Sequence, residues 1–332
     1  MTRVGTTSET NRMAGSDLFA VVRDELSTVE TRLQSELQSD HGRVDEVVRH
    51  GYRLGGKRLR PALLLLAGKA VGPLNDAHET LAVVVEMIHT ATLVHDDILD
   101  EADLRRHVDT INARWGNETS VLLGDFLFSH AFYLAATIGS ADACQLIGKS
   151  TNRVCEGEMQ QTLAEGDLEI GVEDYFSIID AKTAELCSCC CHLGALYADA
   201  DKATIEALAS YGRNLGIAFQ IADDLLDLCG NESTTGKSLG RDLAKRKMTL
   251  PLIHARDSRV DGPRQAFLAL VDDKTDQQEL IAALAESGSI DFARDTAEQY
   301  ASQALSDIKN LEPSAAKTSL ETLATFVVSR QR

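Results

Sequence analysis

The 332-residue sequence is poor in the features that interrupt helices, and this shortage is the first indication of its fold. It contains only five prolines, and the alternation of apolar and polar residues that is typical of strands is nearly absent. Proline breaks a helix because it lacks an amide proton and clashes with the preceding turn, so its rarity favours long uninterrupted helices. We therefore predict an all-α protein.

Basic residues and long apolar runs are also scarce, which excludes two classes of protein. Lys and Arg number 33 against 51 Asp and Glu, and the formal net charge is −18. A nucleic-acid-binding protein needs a basic face, so no nucleic-acid partner is predicted. There is no run of 18 apolar residues, so no transmembrane segment is predicted, and residues 1–16 lack the order of a signal peptide. A cytoplasmic protein is expected.

The seven cysteines include four that crowd into the segment from Leu186 to His192. One helical turn cannot direct four thiolates at a single tetrahedral ion, so a zinc site is disfavoured. We favour the alternative that these cysteines are small buried hydrophobes where helices approach closely. A reducing compartment follows, because cytosolic thiols are kept reduced.

Glycine- and proline-containing breaks divide the chain into helices without a linker or a change in composition. Residues 1–16, rich in Thr, Ser, Gly and Asn, are predicted to form a disordered tail, and residues 17–332 a single domain. The predicted helices span 17–38, 42–52, 60–71, 76–100, 110–114, 118–138, 141–164, 173–197, 201–228, 240–256, 263–270, 276–286, 289–308 and 314–330.

Two copies of one acidic pattern follow apolar helical segments: Asp96–Asp100 (DDILD) and Asp223–Asp227 (DDLLD). Residues i and i+4 share a helical face, so the first and last carboxylates of each copy lie one above the other. Like charges at that spacing weaken a helix by a few tenths of a kcal/mol, a cost that a bound cation offsets. Hard oxygen ligands with room for phosphates favour Mg²⁺ over Zn²⁺ or Ca²⁺.

A single copy could be a solvated helix end in an acidic chain, but two copies followed by basic residues favour a clamp for a metal–diphosphate complex. Arg105 and Arg106 follow the first copy, and Lys237 and residues 245–247 follow the second. Residues 230–237 (GNESTTGK) follow no strand, so we interpret them as a flexible flap and not as a nucleotide-binding loop.

A further basic cluster, Gly55–Pro61 (GGKRLRP), stands at a predicted helix start. Helix N-termini favour phosphate, and two glycines let the backbone approach an anion closely. A charged surface loop is the alternative interpretation of this cluster.

The order of these motifs resembles that of the trans-isoprenyl (polyprenyl) diphosphate synthases. The matching segments are GGKRLRP, then HTATLVHDDILD from His89, Arg105-Arg106, Lys182-Thr183, FQIADDLLD, GKSLGRDL and the run from Lys247 to Pro251. The resemblance covers roughly residues 17 to 330. It implies a bundle of long helices around a central cavity, a homodimer, and Mg²⁺-dependent 1'-4 condensation of isopentenyl diphosphate with an allylic diphosphate.

The resemblance also implies roles for individual residues. Metal ions would be held by Asp96, Asp100 and Asp223. Asp97, Asp224 and Asp227 would support them, and Asp224 and Asp227 are further candidate metal ligands. Isopentenyl diphosphate would be bound by Lys57, Arg60, His89 and Arg106. The allylic diphosphate would be bound by Arg105, Lys182, Thr183, Gln220, Lys237 and Lys247. The catalytic group would comprise Asp96, Asp97, Asp100, Lys182, Thr183, Gln220 and Asp223, whereas His95 is expected to be structural.

Small residues ahead of the first motif predict a long product. Thr92 and Ala91 stand four and five residues before Asp96, where short-chain members of this family commonly place aromatic residues. An open channel would pass Ile88 towards Phe132, and since pocket depth limits the ligand that fits, we predict products of about C30 to C50. Such products must leave into a membrane, so transient membrane contact during release is compatible with this prediction.

Three alternatives stay open on the sequence. A geranylgeranyl or farnesyl diphosphate synthase would share the motifs but make a shorter product. A head-to-head synthase or terpene cyclase would lack GGKRLRP, and a regulatory subunit of a heteromeric synthase would tend to lose one aspartate motif. Family members often carry Gly after the paired arginines, whereas this chain has His107, which predicts a stiffer loop.

Overall fold

The computed structural model describes residues 18–229, 241–259, 261–272 and 277–329, and these are predominantly helical. The prediction of an all-α fold is confirmed. The described strands are Leu104–Arg105 (β1) and Val108–Asp109 (β2), which pair antiparallel. The predicted disordered tail and the predicted flap at residues 230–237 lie outside the described residues.

Helices form wherever apolar residues recur at helical spacing. In chain order they are Arg23–Glu36 (α1, preceded by the 3₁₀ turn Ala20–Val22), Gly42–Arg53 (α2), Leu59–Val71 (α3), Asp76–Leu99 (α4), Ile111–Trp115 (α5), Asn117–Thr137 (α6), Ala141–Leu163 (α7), Val172–Ile179 (α8), Glu185–Tyr197 (α9), Lys202–Cys229 (α10), Arg241–Ala244 (α11), Leu250–Asp257 (α12), Asp261–Asp272 (α13), Gln277–Glu286 (α14), Ser289–Asp307 (α15) and Ala315–Ser329 (α16).

The chain divides into two compact units. The first comprises Met1–Gly148, Cys189–Ala209 and Asn310–Leu323, and the second comprises Lys149–Ser188, Ser210–Lys309 and Ala324–Arg332. The expectation that residues 17–332 form a single domain stays a prediction.

The first unit is built around α3 and α4. Helix α3 is largely apolar and is buried from Pro61 to Gly68. A Cβ atom at Gly194 would overlap the carbonyl oxygen of Leu64, so α9 approaches α3 closely. The Asn75 side chain caps α4 by accepting the backbone N–H groups of Ala77 and His78 at 3.1 and 3.4 Å. Helix α4 packs against α1, α3 and α6, and this packing fixes the direction of its C-terminal end.

The core of the second unit gathers apolar residues from α8, α10, α12, α13 and α15, among them Tyr175, Ile221, Leu252, Phe267 and Ala297. Burial of these side chains stabilises the unit by removing apolar surface from water. The C-terminal half of α10 lies within this core, so the second aspartate motif stands on a rigid element.

Three elements differ from the sequence-based expectation. The predicted helix 240–256 is wrong, because the chain forms α11, then a residue with positive φ at Arg246 (φ 54°), and restarts with Pro251 in the first turn of α12. The predicted helix 173–197 is interrupted by a π-helical turn at Asp180–Ala184. The β1–β2 hairpin was not predicted, since its two-residue strands are too short to show alternation.

Two further predictions concern the burial of the cysteines and the presence of a membrane-spanning helix. Cys187, Cys189, Cys190 and Cys191 are buried, as predicted. No transmembrane segment was predicted; among the described residues, α6 is long and apolar enough to cross a membrane by length and composition alone. Core helices of water-soluble proteins pass the same test, so this property carries little weight.

Candidate active site

The first aspartate motif lies at the C-terminal end of α4. Asp97 is buried (2% exposed), Asp96 is half-buried and Asp100 is the exposed C-cap residue. A helix C-terminus carries a partial negative charge, which makes three carboxylates there unfavourable without a compensating cation. The placement therefore suits a cation-binding end of the helix.

Arg105 of β1 neutralises the buried carboxylate. Its Nε lies 2.9 and 3.1 Å from the two oxygens of Asp97, and its Nη2 lies 2.8 Å from Oδ1. The hairpin turn that presents Arg105 consists of Arg106 and His107, both with positive φ (53° and 64°). Two such residues define a type I′ turn, which glycine and asparagine usually occupy, so this loop is held in a demanding conformation.

The basic segment Gly55–Pro61 is organised by Arg58, which sequence reasoning did not single out. Arg58 has φ 54° and binds Glu30 and Glu86 at 2.7 Å each. Burial acts against its charged form, but the carboxylates outweigh burial and raise the pKa of Arg58. This network fixes the loop from which Lys57 and Arg60 project.

Gly55 and Gly56 make room for arginine side chains, a role that the sequence analysis did not predict. A Cβ atom at Gly55 would overlap the guanidinium of Arg58, and one at Gly56 would overlap that of Arg106. Gly55 also accepts a hydrogen bond from Arg106 through its carbonyl oxygen. The glycines thus make room for arginine side chains.

Arginines surround the half-buried His89. Burial lowers the pKa of His89 well below its usual value, and the charges of Arg60, Arg105, Arg106 and Arg58 lower it further, so its imidazole is neutral at pH 7. The Nε of Arg60 is buried and has no hydrogen-bond partner among the described residues. A buried guanidinium donor without a partner, inside a cluster of like charges, is suited to an anion.

The residues expected to set product length lie on α4 and α6. Ile88 and Ala91 are buried, and the Thr92 hydroxyl donates to the carbonyl oxygen of His89 at 2.8 Å. Phe132 is half-buried, and a Cβ atom at Gly148 would lie 3.9 Å from its ring. The His95 ring lies against Gly124 and 3.2 Å from the carbonyl oxygen of Val121, as expected for a structural residue.

The second motif lies near the C-terminal end of α10, in the second unit. Asp224 is buried (2% exposed), whereas Asp223 and Asp227 are half-buried. The Thr183 hydroxyl donates to Gln220, the Gln220 amide donates to Asp224 Oδ1, and the Tyr175 hydroxyl donates to Asp224 Oδ2, each at 2.8 Å. Both oxygens of Asp224 therefore have protein partners, and the assignment of Asp224 as a further metal ligand stays a prediction.

Lys247 lies between two carboxylates. Its Nζ is 3.5 Å from Asp224 Oδ1 and 3.2 Å from Asp242 Oδ1. Burial raises the pKa of Asp224 to about 6, with Lys247 acting against that rise and Asp242 adding to it. Burial opposes the charge of Lys247 as well, but the two carboxylates raise its pKa. Lys247 thus has two carboxylate partners, and its expected contact with the allylic diphosphate stays a prediction.

Lys182 and Thr183 lie within the π-helical turn Asp180–Ala184. The ammonium of Lys182 is 2.7 Å from Glu158 of α7. Such turns add a residue to a helix and frequently occur at functional sites. The turn directs Thr183 to the network that ends on Asp224.

Each unit thus brings together its own set of predicted residues. The first unit holds Lys57, Arg60, His89, Asp96, Asp97, Asp100, Arg105 and Arg106, and the second holds Lys182, Thr183, Gln220, Asp223, Asp224, Asp227 and Lys247. Lys237 lies outside the described residues. Arg58, Tyr175 and Asp242 were missed; Arg58 and Asp242 stand inside the GGKRLRP and GKSLGRDL segments, whereas no sequence signal identifies Tyr175.

The donor chemistry fits a hard divalent cation. Within the described ranges, no three His, Cys, Asp or Glu side chains converge closely enough to hold a metal ion by themselves. Mg²⁺ usually takes only one or two carboxylates and completes its shell with water and substrate phosphates, so the half-buried or exposed Asp96, Asp100, Asp223 and Asp227 suit it.

Comparisons with known proteins agree with this chemistry. Residues 41–287 match the sequence profile of the family described as polyprenyl synthetase. The octaprenyl diphosphate synthase of Escherichia coli is 34% identical over 311 residues, which cover 93% of this chain and 96% of that protein. The crystal structure of a decaprenyl diphosphate synthase from Rhodobacter capsulatus has a TM-score of 0.90 and 34% identity, and covers 96% of this chain and 99% of that one.

A second solved structure includes a ligand. A polyprenyl synthase from Caulobacter crescentus, described as complexed with calcium and isoprenyl diphosphate, has a TM-score of 0.88 and 36% identity, and covers 96% of this chain and 98% of that one. The profile match spans most of the chain, and the relatives align over nearly their whole length. The chain therefore belongs to the polyprenyl synthetase family and is a prenyltransferase.

Proposed function

We propose that the protein is a Mg²⁺-dependent trans-polyprenyl diphosphate synthase that joins isopentenyl diphosphate head-to-tail to an allylic diphosphate. The observation that carries this proposal is the group of arginines around neutral His89 in a chain of net charge −18. A local excess of cations with an unpartnered Arg60 Nε fits a diphosphate, and the similar Caulobacter crescentus protein is described with an isoprenyl diphosphate.

The proposed reaction is a 1'-4 condensation. The C–O bond of the allylic diphosphate breaks, C4 of isopentenyl diphosphate attacks the allylic cation, and a proton leaves C2 of the new unit. When bound, Mg²⁺ supplies positive charge at the departing diphosphate. Lys182 adds a further cation for that diphosphate, since charge develops there as the bond breaks. Arg60, Lys57 and Arg106 hold the isopentenyl diphosphate in orientation.

We propose a long product because α4 carries small side chains ahead of the first motif. Ala91 is buried and small, so it offers no obstacle to a growing chain. Ala91→Phe is expected to shorten the product to about C15 to C20 while initial ionisation persists, since an added ring closes the channel. Ala91→Ser is the matched control and should leave the product unchanged, whereas an unchanged ladder for Ala91→Phe would contradict the channel assignment.

We further propose a homodimer in which a second copy covers one face of α6. Val121 and Leu122 are 45% and 67% exposed there, and Tyr133, three helical turns further along, is 64% exposed, so the helix leaves apolar surface open. The expected test is the mass in solution by light scattering, with Leu122→Asp predicted to yield monomers. A monomeric wild type would refute this part alone. The cytoplasmic location stays a prediction.

The decisive experiment is incubation of purified protein with Mg²⁺, radiolabelled isopentenyl diphosphate and farnesyl diphosphate, followed by chromatography of dephosphorylated products. A ladder of about C30 to C50 would support the full proposal. Products ending near C20 would keep the reaction and reassign the protein to the geranylgeranyl type. No incorporation with any primer would refute the proposal in favour of a non-catalytic subunit, which the two intact aspartate motifs disfavour.

A further inference from the structure

Five residues of the second unit, Asp180–Ala184, form a π-helical turn between α8 and α9. The N–H of Glu185 donates to the carbonyl oxygen of Asp180, five residues back, which closes the wider ring of a π-helix. A π turn is rare and less favourable than α-helix, so it persists where its surroundings hold it. The turn matters because it carries Lys182 and Thr183.

Arg213 of α10 connects both ends of this turn. Its Nε and Nη2 donate to the two carboxylate oxygens of Asp180 at 2.5 and 2.6 Å, and Nη2 lies 3.7 Å from Oε2 of Glu185. Asp180 is the first residue of the turn, and Glu185 follows its last residue. A planar guanidinium suits this bidentate geometry, which the point charge of a lysine cannot reproduce.

Other contacts complete the support from α7. The Nη2 of Arg153 is 3.5 Å from Asp180 Oδ2, and the Ser150 hydroxyl donates to Glu185 Oε1 at 2.8 Å. The carboxylates at the two ends of the turn therefore each have more than one partner. The carboxylate side chains of Asp180 and Glu185 are 18% and 15% exposed, whereas the Arg213 side chain is 44% exposed, so the pairs lie at the surface and their effect is on the geometry of the turn more than on stability.

The backbone of the turn packs closely against α7 and α10. A Cβ atom at Gly157 of α7 would lie 2.7 Å from the backbone nitrogen of Lys182. A Cβ atom at Gly216 of α10 would lie 2.6 Å from the Cα of Ala184. The turn is thus seated between two glycines, and a small change at its ends would move Lys182 and Thr183 relative to α10.

We propose that Arg213 is a positioning residue, which acts through Asp180 and Glu185 to hold the turn that presents Lys182 and Thr183 to the allylic diphosphate. This inference rests on the proposed function. Arg213 is not a diphosphate ligand in this scheme, because its guanidinium is occupied by the two carboxylates. Its loss should therefore weaken use of the allylic substrate and spare isopentenyl diphosphate.

The test compares Arg213→Gln and Arg213→Lys with the wild type. Since misplacement of a binding group by a fraction of an ångström is costly, we expect Arg213→Gln to raise the KM for farnesyl diphosphate by about 10-fold, with the KM for isopentenyl diphosphate within about twofold. Arg213→Lys should give a smaller rise in the same KM, and its conserved charge guards against loss of folding. Arg264→Gln is the matched control, because it breaks an ion pair with Glu169 elsewhere in the same unit.

A double-mutant cycle separates positioning from general stability. Because both single variants break the Arg213–Asp180 pair, the double variant Arg213→Gln/Asp180→Asn should raise the farnesyl diphosphate KM by less than the product of the two single effects. Calorimetry with Mg²⁺ and inorganic pyrophosphate gives a readout without turnover and should show the same order of affinities. Additive effects, or equal changes in both KM values, would overturn the positioning role. An inactive wild type would instead refute the proposed function.

Discussion

The two aspartate motifs share a plan, and the difference between them lies in how each holds its middle carboxylate. Asp97 and Asp224 are each 2% exposed, and each is the second residue of its motif. Asp97 receives the guanidinium of Arg105 in a fork geometry. Asp224 receives the neutral donors Tyr175 and Gln220, together with a lysine 3.5 Å away that Asp242 shares.

This difference shows two ways of keeping a buried carboxylate in place. A bidentate charge pair fixes geometry and charge together, but it leaves a costly buried ion if the partner is lost. A set of neutral donors with a shared cation tolerates loss of one member, and it leaves the carboxylate with a raised pKa, about 6 for Asp224. In both cases the outer aspartates of the motif are left more exposed, as a metal–diphosphate site requires.

The largest expected effects come from the outer aspartates. Under the proposed function each motif holds metal for catalysis, so Asp96→Asn and Asp223→Asn should each lower kcat by at least about 10²–10³-fold, since each removes charge stabilisation from the transition state. The assay is steady-state incorporation of radiolabelled isopentenyl diphosphate at saturating Mg²⁺. A loss confined to one motif would contradict the shared role.

Each of these variants has a matched control on its own helix. Glu79 and Glu206 precede Asp96 and Asp223 by seventeen positions on α4 and α10, about 25 Å at the rise of an α-helix. Glu79→Gln and Glu206→Gln remove the same charge far from the motifs and should leave kcat within about twofold, because surface charges contribute little.

The second prediction compares Arg105, which binds Asp97, with Lys247, which lies near Asp224. Arg105→Gln removes a bidentate charge pair from Asp97 and should cost about 3 kcal/mol of unfolding free energy. Lys247→Gln removes a longer contact of 3.5 Å from Asp224, which keeps the donors Tyr175 and Gln220, and should cost about 1 kcal/mol. Thermal melts at pH 7.5 should therefore show the larger fall in Tm for Arg105→Gln. Arg114→Gln, which loses an exposed pair with Glu46, is the control. Equal falls in Tm for Arg105→Gln and Lys247→Gln would show that the two buried carboxylates depend equally on their cations.

Sequence reasoning predicted the acidic and basic motifs because their chemistry is local. It could not predict their partners, since Tyr175 lies 49 positions from Asp224 and Glu30 lies 28 from Arg58, and one sequence carries no signal for such pairing. The π turn at Asp180–Ala184 was also missed, because its residues have ordinary helical propensity and the surrounding packing selects the wider ring.

A smaller effect is expected in the pH dependence of the second motif. Because the folded pKa of Asp224 is raised from 3.8 to about 6, proton binding favours the native state; that stability is present below about pH 4 and is lost as pH rises through 6. Wild type should lose on the order of 3 kcal/mol relative to Asp224→Asn across this window. Thermal melts in EDTA from pH 4 to 7.5 measure this loss, with Glu206→Gln as the control. A pH-independent difference would contradict the raised pKa.

The smallest expected effect isolates one hydroxyl of the second motif. Tyr175→Phe removes the donor to Asp224 Oδ2 and should cost about 1–2 kcal/mol, because a buried acceptor loses its partner. That hydrogen bond favours the charged carboxylate, so its loss should raise the pKa of Asp224 further and move the midpoint of the pH series upward. Tyr133→Phe removes the hydroxyl of an exposed tyrosine on α6 and should not move the midpoint of the pH series. If Tyr175→Phe lowered Tm without moving the midpoint, the hydroxyl would contribute to packing alone. Gln220 would then be the neutral donor that stabilises the charged form of Asp224.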